Sequence, residues 1–174
     1  MKTSARTVID QPAEKIDLIQ WLSTLSDLDY QACSRAHRAA GTFRQDGVLG
    51  MVNVESVGGN LLVQHYLAAS AEPNHVVMRS ANTRVYVNHL LPATIEVIWT
   101  VAVEPRDAGS AHFSCSVETR MPPILGILST VALLPFFLGR HTREETQGFA
   151  DDIARKLRDG RLPPVEPVTA RAEP

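Results

Sequence analysis

Histidine is the side chain best suited to proton transfer or metal binding near neutral pH, and this chain contains six. They are His37, His65, His75, His89, His112 and His141. No two of them show the HxH, HxxxH or HExxH spacing that places two metal ligands on one strand or helix. We therefore expect neither a metal site nor a cofactor, which leaves acid–base chemistry as the role a histidine could have here.

His65 and Tyr66 are weak catalytic candidates because they lie in a predicted strand, residues 61–67. His65 shares its strand parity with Leu61 and Leu67, which would turn the imidazole inward. There it could be a general base, a ligand contact, or a core histidine satisfied by a neighbour. A register shift of one residue would place Tyr66 inward instead.

A second candidate group lies near the C-terminus, where His141 is followed by Glu144 and Glu145. Residues three and four apart share one face of a helix. These side chains could form an acid–base pair at the mouth of a cavity. The same spacing is common in surface pairs and subunit contacts, and both interpretations stay open.

Other catalytic patterns are weak or absent in the sequence. Glu55 could form a cross-strand charge pair with Arg79 or Arg84. We find no recognisable local Ser–His–Asp or Cys–His nucleophile pattern. The glycines at 58–59 predict a hairpin turn rather than a phosphate-binding loop.

Composition and charge narrow the class of protein. The 174 residues suit one domain, and 44% apolar with 21% charged residues is ordinary for a globular protein. A net charge of -2 argues against a nucleic-acid partner. Cys33 and Cys115 lack CxxC spacing, so we predict buried free thiols. These thiols, and a first segment without the apolar core of a secretory signal, fit a cytoplasmic location.

Hydrophobic periodicity predicts an α+β order of elements. A short strand at 5–10 precedes two helices, one at 13–25 and a short one capped by Ser26. From about residue 38 the period becomes two, which predicts about six antiparallel strands. The clearest are 94–104 and 111–121, and 75–80 and 84–88 are predicted as two further strand pieces. A long amphipathic helix follows at about 141–158. We expect a single domain over 1–160 and a Pro-rich flexible tail over 161–174.

The segment from Met121 to Gly139 carries no charged residue. Its length falls in the range of about 17–25 residues that spans a membrane. However, Pro135 would kink or break such a helix. The segment could instead be a lid, a peripheral membrane contact, a homodimer interface or a buried part of the core.

The predicted order describes a helix-grip arrangement: a curved antiparallel sheet of about six to seven strands wrapped around a long C-terminal helix, with two short helices after the first strand. In this order the chain resembles the START-like, or SRPBCC, superfamily. The similarity is best at 53–66 (NVESVGGNLLVQHY) and 141–150 (HTREETQGFA), which look like segments of uncharacterised bacterial members. The resemblance implies a deep cavity between sheet and last helix that takes hydrophobic molecules.

Superfamily members include lipid carriers, hormone receptors, polyketide cyclases and oxygenase domains, and they share no universal catalytic set. We therefore expect this chain to bind a hydrophobic small molecule or lipid. One alternative is an enzyme of the polyketide cyclase/dehydratase kind, and another is a homodimeric or membrane-surface interaction module using residues 121–139. Several converging polar groups in the cavity would favour the enzyme, and a bare apolar lining would favour the carrier.

Strand parity and the helix stripe predict which side chains line the cavity. They are Val63, His65, Trp99, Val101, Phe113, Cys115, Phe149 and Ile153. The same pattern would arise if these side chains simply filled a packed core.

Overall fold

The computed structural model describes residues 1–121 and 134–162. The strands are β1 Lys2–Ile9, β2 His37–Gln45, β3 Val48–Val57, β4 Asn60–Glu72, β5 His75–Val87, β6 Leu91–Asp107 and β7 Ser110–Arg120. The helices are α1 Leu18–Ser23, α2 Asp27–Cys33 and α3 Leu134–Arg158, with a 3₁₀ turn at Ala13–Lys15. This confirms the predicted α+β order.

The strands form one 7-stranded sheet in the order β1-β7-β6-β5-β4-β3-β2, and every neighbouring pair is antiparallel. The edge strand β2 contacts α2, the other edge strand β1 contacts α3, and the two helices contact each other. The helices therefore connect the two edges of the sheet and cover its inner face. This is the predicted helix-grip arrangement.

Turn and cap residues explain where the elements begin and end. Gly58 and Gly59 have φ values of 57° and 81°, which a two-residue hairpin turn between β3 and β4 requires. The Ser26 hydroxyl accepts a hydrogen bond from the Asp29 amide at 3.1 Å and so caps α2 as predicted.

Three predicted elements differ from the structure. The expected helix over 13–25 is divided, because the Asp17 carboxylate accepts hydrogen bonds from two backbone amides and starts α1 anew. The two expected strand pieces at 75–80 and 84–88 are one strand, β5, whose register shift between Ser80 and Thr83 absorbs the irregularity. The last helix was expected to begin at about residue 141, but it already includes Leu134. Pro135 is tolerated because it lies in the first described turn, where a backbone N–H is not required for a helical hydrogen bond.

The core lies between the sheet and the helices. Trp21 is fully buried and meets Phe149 edge-on, with ring centroids 5.1 Å apart. The two helices α2 and α3 touch at Gly148, where an added Cβ would lie 2.0 Å from the Cys33 carbonyl oxygen. Cys33 and Cys115 are both buried and free, as predicted.

The uncharged segment is only partly described. Residues 134–139 belong to α3, whereas 122–133 lie outside the described residues. Among the helices that the structure describes, none is both long and apolar enough to cross a membrane. Most of the expected tail, 163–174, also lies outside the described residues, while Leu162 is buried against the core.

Candidate functional site

A cavity lies between the inner face of the sheet and α3. Its apolar walls are formed by Leu62, Val97, Trp99, Val117, Leu138 and Phe149. Its polar walls are formed by Tyr30, Asn53, Glu55, Gln64, Tyr66, Thr119, His141 and Glu145. The gap amounts to about 430 Å³ when the space open to solvent is counted, but its interior has room for little more than a water-sized group. The described side chains therefore leave a narrow cleft.

Helix α3 presents one continuous face to this cleft. Leu138, His141, Glu145 and Phe149 follow one another at intervals of three or four residues, so they project from the same side of the helix. The sheet contributes alternate residues of β3, β4, β6 and β7, for example Val97 and Trp99 on β6. Two of the lining side chains pack against each other, since the ring centroids of Trp99 and Phe149 lie 5.6 Å apart.

Four buried ionisable residues converge beside the cleft, and we call them the His–Glu cluster. They are His37, Glu55, His141 and Glu145. One ligand atom from each lies within 4.8 Å of those from the other three. The closest pair is His141 Nε2 and Glu145 Oε2 at 2.9 Å. His141 Nε2 also lies 3.5 Å from Glu55 Oε2, and His37 Nε2 lies 3.8 Å from Glu145 Oε2.

Both histidines of the cluster are held through the ring nitrogen that faces away from it. His37 Nδ1 is 2.7 Å from the Tyr30 carbonyl oxygen, which can only accept, so this nitrogen carries the proton. The His37 ring also stacks on the Tyr30 ring, with centroids 3.8 Å apart. His141 Nδ1 lies 3.3 Å from the Ser34 hydroxyl.

Both carboxylates are held in the same manner. Glu55 Oε1 accepts hydrogen bonds from the Tyr30 hydroxyl at 2.6 Å and from the Asn53 amide at 2.8 Å. Glu145 Oε1 accepts one from the Cys115 thiol at 3.0 Å. Each cluster residue therefore uses one polar atom for its support and turns the other toward the centre.

Burial and charge shift the pKa values of this region. Burial alone would lower the pKa of His141, but the Glu145 and Glu55 carboxylates outweigh it and raise the pKa to about 11. Burial alone would raise the pKa of Glu145, yet His141 and His37 hold it below its usual range. Burial, reinforced by the Glu145 carboxylate, raises the pKa of the Cys115 thiol, which stays protonated.

The predicted lining residues separate into three groups. Trp99 and Phe149 line the cleft. Val101, Phe113, Cys115 and Ile153 are buried on the same inner side but belong to the packed core, with Cys115 reaching the His–Glu cluster through Glu145. Val63 and His65 are not in the cleft.

His65 does not point inward, and this expectation is wrong. Its side chain is exposed and stacks on Phe43, with ring centroids 5.3 Å apart. The neighbours Gln64 and Tyr66 face the cleft, where the Gln64 amide donates to the Tyr66 hydroxyl at 2.8 Å. The prediction placed apolar residues inside, but this part of the inner face is polar, and the Gln64 side chain and the Tyr66 hydroxyl pair with each other there.

The inferred helical pair at His141 and Glu145 is present, but it is buried rather than on the surface. Glu55 also lies inside, and Arg79 pairs with Glu96 instead. Sequence reasoning missed His37 entirely. Spacing along one element could not reveal it, because the cluster combines residues of β2, β3 and α3.

A second charged group joins α2 to α3. Lys156 Nζ lies 2.9 Å from Asp152 Oδ2 and 3.1 Å from Asp29 Oδ2, and the Lys156 and Asp152 side chains are almost completely buried. The Trp21 indole also donates to Asp152 at 2.9 Å. Burial alone would raise the pKa of Asp29, but hydrogen bonds from Ser26, Arg155 and Lys156 lower it to about 2. Opposite charges balance here, so this group stabilises the packing of the two helices.

Comparison with known proteins identifies the fold. No protein-family model matches the sequence, and no curated protein resembles it significantly. Among solved structures, the Zhui aromatase/cyclase from Streptomyces sp. R1128 superposes with a TM-score of 0.63 at 11% identity, over 92% of this chain and 97% of that one. The protein TTHA0849 from Thermus thermophilus superposes with a TM-score of 0.64 at 13% identity, over 89% and 98%.

A third similar structure is the di-domain aromatase/cyclase StfQ from the steffimycin biosynthetic pathway. It has a TM-score of 0.53 and 11% identity, and the match covers 89% of this chain and 46% of StfQ. At such low identity these similarities concern the fold alone. The chain therefore shares the fold of these structures, which is the helix-grip arrangement predicted from the order of its elements.

Proposed function

We propose that the protein binds an apolar small molecule or lipid that carries a polar group, in the cleft between the sheet and α3. The observation that carries the proposal is the division of the cleft into an apolar wall and a polar wall. The apolar wall favours a hydrocarbon or aromatic body, and the polar wall can orient one polar end. START-like structures that resemble this chain include two aromatase/cyclases, which supports a small-molecule ligand.

The size of the cleft limits how such a ligand can lie. Only a small group fits between the described side chains without moving them. The rest of the molecule would extend along the face of α3 toward Leu138 and the open side. Between Phe149 and Leu138 the helix axis advances by roughly 16 Å, enough to follow a molecule of several fused rings or a short acyl chain.

A pair of variants on adjacent residues of β4 tests the proposal. Leu62 lines the cleft, whereas Val63 does not, and both are half-buried. Leu62→Trp should fill the cleft and weaken binding of the uncharged probe N-phenyl-1-naphthylamine at least about tenfold, the effect of losing roughly 1.4 kcal/mol. Val63→Trp should bind within about twofold of the wild type. The measurement is a fluorescence titration, together with mass spectrometry of an organic extract of the purified protein.

Two results would contradict the proposal. One is a wild-type protein that neither binds the probe nor yields an apolar molecule on extraction. The other is equal probe affinity in Leu62→Trp and Val63→Trp, because this would place binding outside the cleft.

A second candidate function is catalysis of the cyclase or dehydratase kind. The convergence of polar groups on the cleft favours it, since a simple carrier needs fewer of them. His141 and Glu145 lie on the cleft wall, where they could move a proton to or from a bound molecule. Of the two catalytic candidates expected from the sequence, His65 is exposed outside the cleft, whereas Tyr66 lines it. An extract that contains both a linear precursor and its cyclised or dehydrated product would support this function.

A further inference from the structure

We propose that the His–Glu cluster, His37, Glu55, His141 and Glu145, is a binding site for a divalent transition-metal ion. The inference does not require that the cleft hold an apolar ligand, although Glu55, His141 and Glu145 also form part of its polar wall. It departs from the expectation of no metal site, which relied on the spacing of histidines within single elements.

The first argument is the geometry of the four inward atoms. Two ligands about 2.1 Å from a tetrahedral ion lie about 3.4 Å from each other. The measured separations across the cluster are 2.9 Å, 3.5 Å and 3.8 Å, and all four atoms lie within 4.8 Å of one another. Small side-chain shifts would therefore bring the four atoms around one ion.

The second argument is the state of the two inward nitrogens. His37 Nε2 and His141 Nε2 are both completely buried. His141 Nε2 faces the Glu145 carboxylate at 2.9 Å, whereas His37 Nε2 has no hydrogen-bond partner among the described residues. His37 Nδ1 already donates to a backbone carbonyl, so a neutral imidazole directs the lone pair of Nε2 into the cluster. A buried nitrogen left without a partner is costly, and a metal ion would satisfy it.

The third argument is the outer support of each residue. Metal-binding histidines usually donate their second nitrogen to a carbonyl or another polar group, and metal-binding carboxylates are themselves hydrogen-bonded. Here Tyr30 supports both His37 and Glu55, Ser34 lies beside His141, and Cys115 donates to Glu145. All four side chains are therefore oriented before any ion arrives.

The fourth argument is charge. Glu55 and Glu145 are both buried, and within the described residues no lysine or arginine nitrogen lies within 4.0 Å of either carboxylate. Two buried carboxylates need compensating positive charge. A protonated His141 supplies only one positive charge, whereas a divalent ion would supply two at the point where all four inward atoms meet.

The ligand set indicates the class of metal. Two imidazole nitrogens with two carboxylate oxygens suit Zn²⁺, Fe²⁺ or Mn²⁺, whereas Ca²⁺ and Mg²⁺ prefer oxygen ligands alone. We therefore expect Zn²⁺ to bind, and Co²⁺ to replace it as a spectroscopic probe.

The test compares two neighbouring glutamates of α3. Glu145 belongs to the cluster, whereas Glu144 faces Arg35 and Ser34 on the outside. Chelator-treated protein is loaded with Zn²⁺ or Co²⁺ and freed of excess metal, and metal content is measured by mass spectrometry. Wild type and Glu144→Gln should retain about one ion per chain and show a visible Co²⁺ band. Glu145→Gln should bind at least about tenfold more weakly, because even the loss of a group that only supports a metal ligand costs about 10–100-fold in affinity.

Folding of each variant is checked by circular dichroism, and His37→Ala replaces Glu145→Gln if that variant does not fold. Wild-type protein that retains less than about a tenth of an ion per chain overturns the proposal. So does equal metal content in Glu144→Gln and Glu145→Gln. In either case the positive charge of the cluster would come from a proton on His141, which His141 shares with the two carboxylates.

Discussion

Buried charged side chains occur at two described places, the junction of α2 and α3 and the His–Glu cluster, and the two differ in how their charges are compensated. At the junction of α2 and α3, Lys156 lies between Asp29 and Asp152, and Arg155 contacts the same two carboxylates. These charges balance, so removing one leaves the group with one charge that is not compensated. The His–Glu cluster contains no such permanent cation among its described neighbours, which is why it is the better candidate for an exogenous ion.

Lys156→Met is expected to destabilise the protein by about 3–5 kcal/mol, because it leaves two carboxylates around an apolar side chain. Urea unfolding measures the change. Lys15→Met is the control, since Lys15 is exposed and should change the free energy of unfolding by less than about 0.5 kcal/mol. Equal effects of the two substitutions would show that the Lys156 ion pairs are not stabilising.

At the scale of elements, the position of α3 depends on its close contact with α2. Gly148 permits this contact, because an added Cβ would lie 2.0 Å from the Cys33 carbonyl oxygen and 2.6 Å from the Cys33 Cα. These are backbone atoms, which cannot rotate away. Since His141 and Glu145 occupy the same helix, a shift of α3 would also disturb the cleft and the His–Glu cluster.

Gly148→Ala should therefore destabilise the protein by more than about 2 kcal/mol, although alanine in a helix is normally favoured by roughly 1 kcal/mol. Gly139→Ala in the same helix meets no described atom closer than 3.9 Å. It should be neutral or slightly stabilising. Thermal unfolding distinguishes the two, and a Gly148→Ala protein as stable as Gly139→Ala would show that α2 and α3 can separate without cost.

At the scale of the whole molecule, the helices connect the two edges of the sheet, and Asp29 contributes to this closure by pairing with α3. Its pKa is about 2 in the folded protein against an ordinary value of 3.8. A carboxyl whose pKa is lowered in the folded protein stabilises the folded state at pH values above its ordinary pKa. This stabilisation is lost as the pH falls through the pKa of the folded state. The sensitive range is therefore about pH 4 to pH 2.

Asp29→Asn should reduce the free energy of unfolding at pH 5. The difference from wild type should shrink by roughly 1–2 kcal/mol between pH 5 and pH 2, a value reduced for partial solvent screening. Urea unfolding at several pH values provides the measurement, and the comparison with wild type cancels the titration of other carboxylates. If the difference in free energy of unfolding between Asp29→Asn and wild type stays constant with pH, Asp29 is not the source of the pH dependence.

That residues 121–139 contact a membrane or a second copy of the chain remains a hypothesis. Phe136 and Phe137, at the start of the described part of α3, are 61% and 37% exposed. The remainder of the uncharged segment, 122–133, lies outside the described residues.

The sequence by itself determined the elements and the type of fold. Alternation in 94–104 and 111–121, the glycines at 58–59 and the apolar stripe of the last helix are local patterns, and each depends on residues close in the chain. The burial of Trp99 and Phe149 followed from the same periodicity. These patterns were sufficient to identify the helix-grip order.

Only the tertiary structure decided which polar groups meet. Apolar residues occupy both faces of β4, so the sequence left its inward face ambiguous, and pairing with neighbouring strands placed Tyr66 inside and His65 outside. The His–Glu cluster joins His37, Glu55 and the pair on α3 across more than a hundred residues of chain. No local period encodes such a contact, because it arises from packing α3 against α2 and the sheet.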